Sequence, residues 1–274
     1  MQALFDDPAV QGGVAPLVVA LAVGAAFART RFAWLAIGAG YATMVALSTG
    51  FSLSPLTVAR KTLLLGMLAP VVGVLLDLTE RSQRAVPPAI ALAAGATSCW
   101  VFLSILQQRE TASALAVGSG IALFVAALVA ATLQLRDDGL RAGAAGIGLG
   151  LAVGIGGVLS ASIGALVAGV ALAAASGAML LVQVGGARTL APGFTGALPI
   201  GLLGAFIPTG TLLLAKLPWY ALPLLLLVPA AVLLLPAPER GPLAGRAAVL
   251  ARYALVAAAP PIVAAWYAAR GSLT

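Results

Sequence analysis

Charge in this chain is confined to short breaks between long apolar windows, and that pattern fixes its solvent. Windows free of Asp, Glu, Lys and Arg cover 8–28, 32–59, 62–76, 85–108, 111–135, 142–187, 189–215, 217–238 and 253–269. A helix needs about 20 residues to cross the hydrocarbon core of a bilayer. Window 142–187 is too long for one crossing and holds two, with a turn near Ser160-Ala161-Ser162. Only 8% of the 274 residues are charged and 62% are hydrophobic, whereas a soluble domain carries about 25% charged residues. The chain reads as an all-α integral membrane protein, one polytopic domain over 1–274. About ten transmembrane helices are predicted, at 10–28, 32–50, 59–78, 86–107, 112–134, 142–158, 162–184, 194–215, 218–236 and 247–268.

Lys and Arg give the orientation. With the N-terminus outside, the inner loops hold Arg29, Arg31, Arg81, Arg84, Arg136, Arg141, Arg188, Arg240, Arg246 and Arg252. The outer side holds Arg60, Lys61, Arg109, Lys216 and Arg270. The excess of inner basic residues predicts that both termini are outside. The first residues lack the basic region of a signal peptide, so the first span is expected to be retained. Ala-, Gly-, Leu- and Arg-rich usage fits a bacterial chain, and a multi-pass protein of the bacterial inner membrane with periplasmic termini is expected.

The formal net charge of +7 does not point to nucleic acid, because the basic residues lie scattered in short loops. There is no histidine, and Cys99 is the single cysteine. Bis-histidine haem, histidine proton relays and thiolate metal sites are therefore excluded, and no cofactor is expected. Ser160 and Ser162 have no histidine partner, so nothing suggests an enzyme. Asp137-Asp138 alone is a weak basis for a metal site, since Mg²⁺ sites gather several carboxylates.

The most punctuated apolar stretch is 192–216, with Pro199, Pro208, Gly193, Gly196, Gly201 and Gly204, then Thr209-Gly210-Thr211. A membrane helix so interrupted is expected to be bent or broken. Such breaks survive at depth where protein or a cavity re-satisfies the backbone, and in transporters they often mark the substrate site. Helix 3 carries a related pattern. Leu64-Leu65-Gly66-Met67-Leu68-Ala69-Pro70 and Leu202-Leu203-Gly204-Ala205-Phe206-Ile207-Pro208 both read L-L-G-x-x-x-P, followed by Gly73 or Gly210. They are the third helix of each group of five. A five-plus-five inverted repeat is the corresponding reading, with halves 1–138 and 139–274.

Proline withholds a donor from the carbonyl four residues back, here Gly66 and Gly204. Helices 3 and 8 are expected to cross near Pro70 and Pro208, with Gly66, Pro70, Gly73, Gly204, Pro208, Thr209, Gly210 and Thr211 as substrate-binding candidates. Asp77, at the inner end of helix 3, is a candidate gating charge or a solvated ion pair with Arg81 or Arg84. Gln183 is expected to reach headgroups from a helix end. In helix 6, Gly146, Gly150, Gly154 and Gly157 share one face; tight packing within the chain or a subunit contact would use it.

The resulting functional expectation is a transporter or permease-like protein for a small neutral, apolar or weakly coordinated solute. The alternative is a non-catalytic accessory or anchor subunit of a larger membrane complex. The expected partners are the lipid bilayer, with a homo-oligomer or other membrane subunits, and no nucleic acid.

Overall fold

The computed structural model describes residues 7–50, 54–79, 85–215, 217–236 and 241–271. Arg81, Arg84, Lys216 and Arg240, used in the charge count above, lie outside them. Among the described residues every regular element is helical. In chain order these are α1 (Val10–Ala26, opening with a π turn over Val10–Val14), α2 (Leu35–Ser48), α3 (Val58–Thr79), α4 (Val86–Leu106) and α5 (Thr111–Leu133). There follow α6 (Gly139–Leu159), α7 (Ile163–Gly185), α8 (Gly193–Leu214), α9 (Ala221–Leu234, interrupted at Leu225-Leu226) and α10 (Leu243–Gly271).

Seven of these, α3 to α8 and α10, are long and apolar enough to cross a membrane. The other three, α1, α2 and α9, are apolar but shorter. The long window 142–187 does divide at Ser160–Ser162. The Ser160 hydroxyl donates to the Gly156 carbonyl at 2.6 Å, and Ala161 takes a left-handed φ of 57°. Ser162 then caps α7, its hydroxyl accepting from the Ala165 amide.

Burial separates the centre from the rim. In α6 and α8, 72% of the apolar window is buried, against 22% in α3. The α6–α7 pair forms the densest contact, and glycine is the reason. A Cβ on Gly150 would stand 2.5 Å from the Ala173 nitrogen, and one on Gly169 would stand 2.4 Å from the Gly154 nitrogen. Backbone therefore meets backbone, the close approach that small residues permit in lipid. The glycine face of α6 is taken up by α7 within the chain. α10 covers another side of α6, where Gly148 meets Ala254.

The prolines do not break their helices. α3 runs continuously through Pro70, and α8 through Pro199 and Pro208. Space on the neighbours accommodates them: the Pro70 ring lies where a Cβ of Gly38 in α2 would be. α8 sits between α3, α5 and α6, so the carbonyls left without a donor by its prolines are enclosed by protein.

Candidate functional site

Two polar clusters lie at opposite ends of the bundle. The first is built around the start of α8. α3 and α8 are antiparallel, and Asp77 in the last turn of α3 reaches the first turn of α8. Its carboxylate accepts from the Phe194 amide at 2.9 Å, the Thr195 amide at 2.9 Å and the Thr195 hydroxyl at 2.6 Å. The first amides of a helix have no partner within it, and its N-terminus carries partial positive charge. Asp77 supplies both the acceptors and the compensating charge from another helix. Gly193 is required there: its φ is +58°, and a Cβ would stand 2.6 Å from the carboxylate. Asp77 thus caps the start of α8; Arg81 and Arg84, its expected ion-pair partners, lie outside the described residues. The first turn of α8 carries no acidic residue of its own, so the carboxylate from α3 supplies the negative charge its N-terminus favours.

The same end is tied further. The Gly193 amide donates to the Arg136 carbonyl at 2.9 Å, and the Arg136 guanidinium lies 5.1 Å from the Phe194 ring centroid. Trp34 donates its indole N–H to the Leu190 carbonyl at 3.0 Å. Gln183 is fully buried, and headgroups are out of its reach. Its Oε1 accepts from the Leu190 amide at 3.0 Å, and its Nε2 donates to the Gly139 and Met179 carbonyls. Asp138 caps α6 and pairs with Arg141 at 3.2 Å. Arg141 in turn donates to the Val232 and Leu233 carbonyls at the end of α9. Charged and amide side chains here close helix ends rather than line a path. Among the described residues no group of three or more His, Cys, Asp or Glu gathers to hold a metal.

The second cluster surrounds a cavity of about 510 Å³ at the other end of the bundle, walled by α1, α2, α3, α7 and α8. Tyr41, Ser48, Thr62, Ala168, Phe206 and Thr211 contribute to its wall, and among the described residues Tyr41 is the only ionisable side chain lining it. Most wall hydroxyls already donate locally. Thr62 donates to Val58 O at 3.1 Å, Thr49 to Val45 O at 3.2 Å and Thr211 to Ile207 O at 2.9 Å. Ser48 donates to the Met44 sulfur at 3.4 Å.

Tyr41 is the exception. The residue is 1% exposed, yet its hydroxyl has no hydrogen-bond partner. Buried polar groups are normally paired, and this one, enclosed beside the cavity, is not. Gly66 holds the ring in place: a Cβ there would stand 2.5 Å from ring Cε1. No family model matches the chain, and neither does any curated protein or any solved structure.

The candidates from the sequence divide between these regions. Gly210 and Thr211 line the Tyr41 cavity, and Gly66 lies behind its phenol. Gly73 faces the backbone of Phe194 and Thr195, and Pro70 faces Gly38. Gly204 faces Leu149 and Leu128, away from α3. Pro208 lines a narrow cleft against α6, α9 and α10. Thr209 is fully buried and donates to Ala205 O at 2.7 Å.

α3 and α8 do pack along their length, with Gly66 beside Leu203 and Gly73 beside Thr195. That register places Pro70 level with the region of Pro199. Pro208 stands about nine residues, or ~13 Å, further along α8. The two prolines therefore do not meet at one level. Tyr41 itself escaped the sequence reading, because an aromatic in an apolar window signals packing and nothing local marks its hydroxyl as unpaired.

Proposed function

We propose that this chain is a permease-like membrane protein for a small uncharged solute, with the Tyr41 cavity as the solute site. The carrying observation is a cavity of about 510 Å³ at one end of the bundle in which no described lining residue carries a charged side chain. The closed hydrogen-bond cluster at the Asp77 end supports the reading, since a carrier must shut one side while the other is open.

In this proposal α1, α2 and α9 complete the crossings made by the seven long helices, giving ten. The antiparallel packing of α1 with α2, α2 with α3, α4 with α5 and α6 with α7 supports that count. It places the start of α1 and the end of α10 at the Arg109 end, assigned here to the periplasmic face of a bacterial inner membrane. A five-plus-five inverted repeat, with halves 1–138 and 139–274, draws support from the paired packing of α2 with α7 and α3 with α8. The different surroundings of Gly66 and Gly204 weigh against strict equivalence of the two motifs.

One observation favours the accessory-subunit reading. α3 presents a row of exposed apolar residues, Leu68, Val71, Val72, Leu75 and Leu78, that another membrane chain or lipid would cover. Purification in mild detergent followed by native mass determination tests the choice. A monomer or homo-oligomer agrees with the permease. Stoichiometric recovery with a different catalytic chain establishes the accessory role instead.

A further inference from the structure

We infer that the groove between α7 and α10, at the Asp77 end of the bundle, holds an acyl chain of an anionic phospholipid whose phosphate is met by Arg188 and Arg252. The inference stands apart from the solute cavity and does not depend on it.

α7 and α10 both pack on α6 and touch each other little. Between them lies a groove of about 460 Å³, with Ile147 of α6 at its base. Its walls are made of small and apolar residues. α7 contributes Ala174, Gly177 and Val184, and α10 contributes Ala244 and Ala251. A Cβ on Gly177 would meet only Ile147, at 3.9 Å, so the protein leaves this space unfilled. No described lining residue is polar.

The length picks out a lipid chain. From Ala174 to Val184, α7 advances about ten residues, or ~15 Å. That is half of a ~30 Å hydrocarbon core, so the groove spans one leaflet and starts at the helix ends, where headgroups lie. A helix of a second copy would run on through the other leaflet. One acyl chain would not.

Charge supplies the headgroup. The described carboxylates at this end are Asp77, Asp137 and Asp138, and each has a partner: the start of α8, Arg136 and Arg141. Arg188 follows the end of α7, just beyond Val184, and Arg252 adjoins Ala251 in α10. Both are exposed, and neither has an ion pair among the described residues. Arg252 also falls within the apolar span 247–268, where a lipid-facing charge is costly unless it reaches an anion or water. Helical side chains lean towards the helix N-terminus, which for α10 is the Asp77 end. Arg252 therefore leans along the rim of the groove towards the phosphate level. Basic groups placed between helices at that level recognise anionic lipid.

The test uses the purified full chain in phosphatidylcholine vesicles that carry a trace of a lipid with a diazirine in one acyl chain. The probe is either phosphatidylglycerol or phosphatidylcholine, with identical chains. After irradiation the phosphatidylglycerol probe should label peptides 174–184 and 244–251 several-fold more than the phosphatidylcholine probe. The lipid-facing side of α3 should show no such preference. Arg188→Gln and Arg252→Gln should each lower the preference about fivefold, and Arg252→Lys should retain it. Gly177→Leu fills the groove and leaves both arginines in place, so labelling of 244–251 should fall for both probes.

The wild-type comparison of the two probes needs no variant, so a misfolded variant leaves it decisive. Equal labelling of the groove by both probes would overturn the inference. So would a preference that survives both arginine substitutions, or labelling spread evenly over the exposed faces of α3, α4 and α5. Cross-linking of 244–251 to a second copy in place of lipid would also overturn it, because the groove would then be a subunit contact.

Discussion

Asp77 and Thr195, 118 positions apart in sequence, are joined by two hydrogen bonds through one carboxylate oxygen, at 2.9 Å to the Thr195 amide and 2.6 Å to its hydroxyl. The other oxygen accepts from the Phe194 amide. This single side chain closes the N-terminus of α8 and fastens it to α3. Losing an N-cap costs about 1 kcal/mol, and more where the freed amides are shielded from water. Asp77→Ala is therefore expected to lower unfolding free energy by roughly 1–3 kcal/mol, read by detergent-induced unfolding. Asp77→Asn keeps an acceptor but loses the charge at the helix terminus, and should fall between the two. A variant as stable as the wild type would remove the structural role of this contact.

Gly150 makes a sharper packing prediction. Any side chain there runs into the Ala173 nitrogen and the Gly169 carbonyl, both backbone atoms that cannot turn aside. Gly150→Val should separate α6 from α7 and destabilise the fold by several kcal/mol, beyond the usual range of about 1–3 for overpacking. Gly164→Ala, with open space at its Cβ, should be neutral. Loss of the folded peak in size-exclusion chromatography for the first variant only would show the difference.

Gln183 satisfies an amide and two carbonyls in a fully buried setting. Gln183→Leu keeps similar volume and leaves the Leu190 amide without its partner. The expected loss is about 1–3 kcal/mol. Trp34 bonds the carbonyl of the same Leu190, so Trp34→Phe combined with Gln183→Leu should show coupled, non-additive losses. Strict additivity would mean that the two contacts are independent.

The sequence revealed much of this molecule because lipid imposes simple rules. Unbroken apolar windows could only be helices, and the division of 142–187 at Ser160–Ser162 followed from length alone. The glycine face of α6 was visible as a period, although its partner, α7, was not. The L-L-G-x-x-x-P pattern suggested that α3 and α8 meet. They do pack together, but Gly66 faces Tyr41 and Leu203 while Gly204 faces Leu149 and Leu128. Equal local patterns gave unequal surroundings, because a motif fixes helix geometry and not helix rotation. The role of Asp77 at α8 was hidden for the same reason: its carboxylate oxygens accept from amides on a helix distant in sequence.

Tyr41 carries an unusual signature. Removing a buried hydroxyl that bonds nothing relieves an unsatisfied group. Tyr41→Phe should leave the unliganded protein as stable as the wild type, or more stable by up to about 1 kcal/mol. Thr209→Val should be close to neutral in ligand binding, because the Thr209 hydroxyl bonds Ala205 O outside the cavity wall. Gly66→Ala should act like a site mutation, because it displaces the Tyr41 ring. Thermal melting curves of the three variants separate these outcomes. A strongly destabilised Tyr41→Phe would mean that its hydroxyl has a partner.

The central claim, a solute cavity open at one end and gated by Asp77 at the other, is most directly tested by side-specific thiol labelling. Cys99 is replaced by Ala, and one cysteine is placed at Thr62 in the cavity wall. Cysteines at Arg109 and at Thr79, on opposite ends of the bundle, report the two faces in parallel vesicle preparations. A membrane-impermeant maleimide should modify the Thr62 position rapidly from the face that modifies the Arg109 position. From the Thr79 face the reaction should be slow in the wild type and faster in Asp77→Ala. Equal rates from both faces in the wild type, or a Thr79-face rate that stays at zero when Asp77 is removed, would contradict the gated permease.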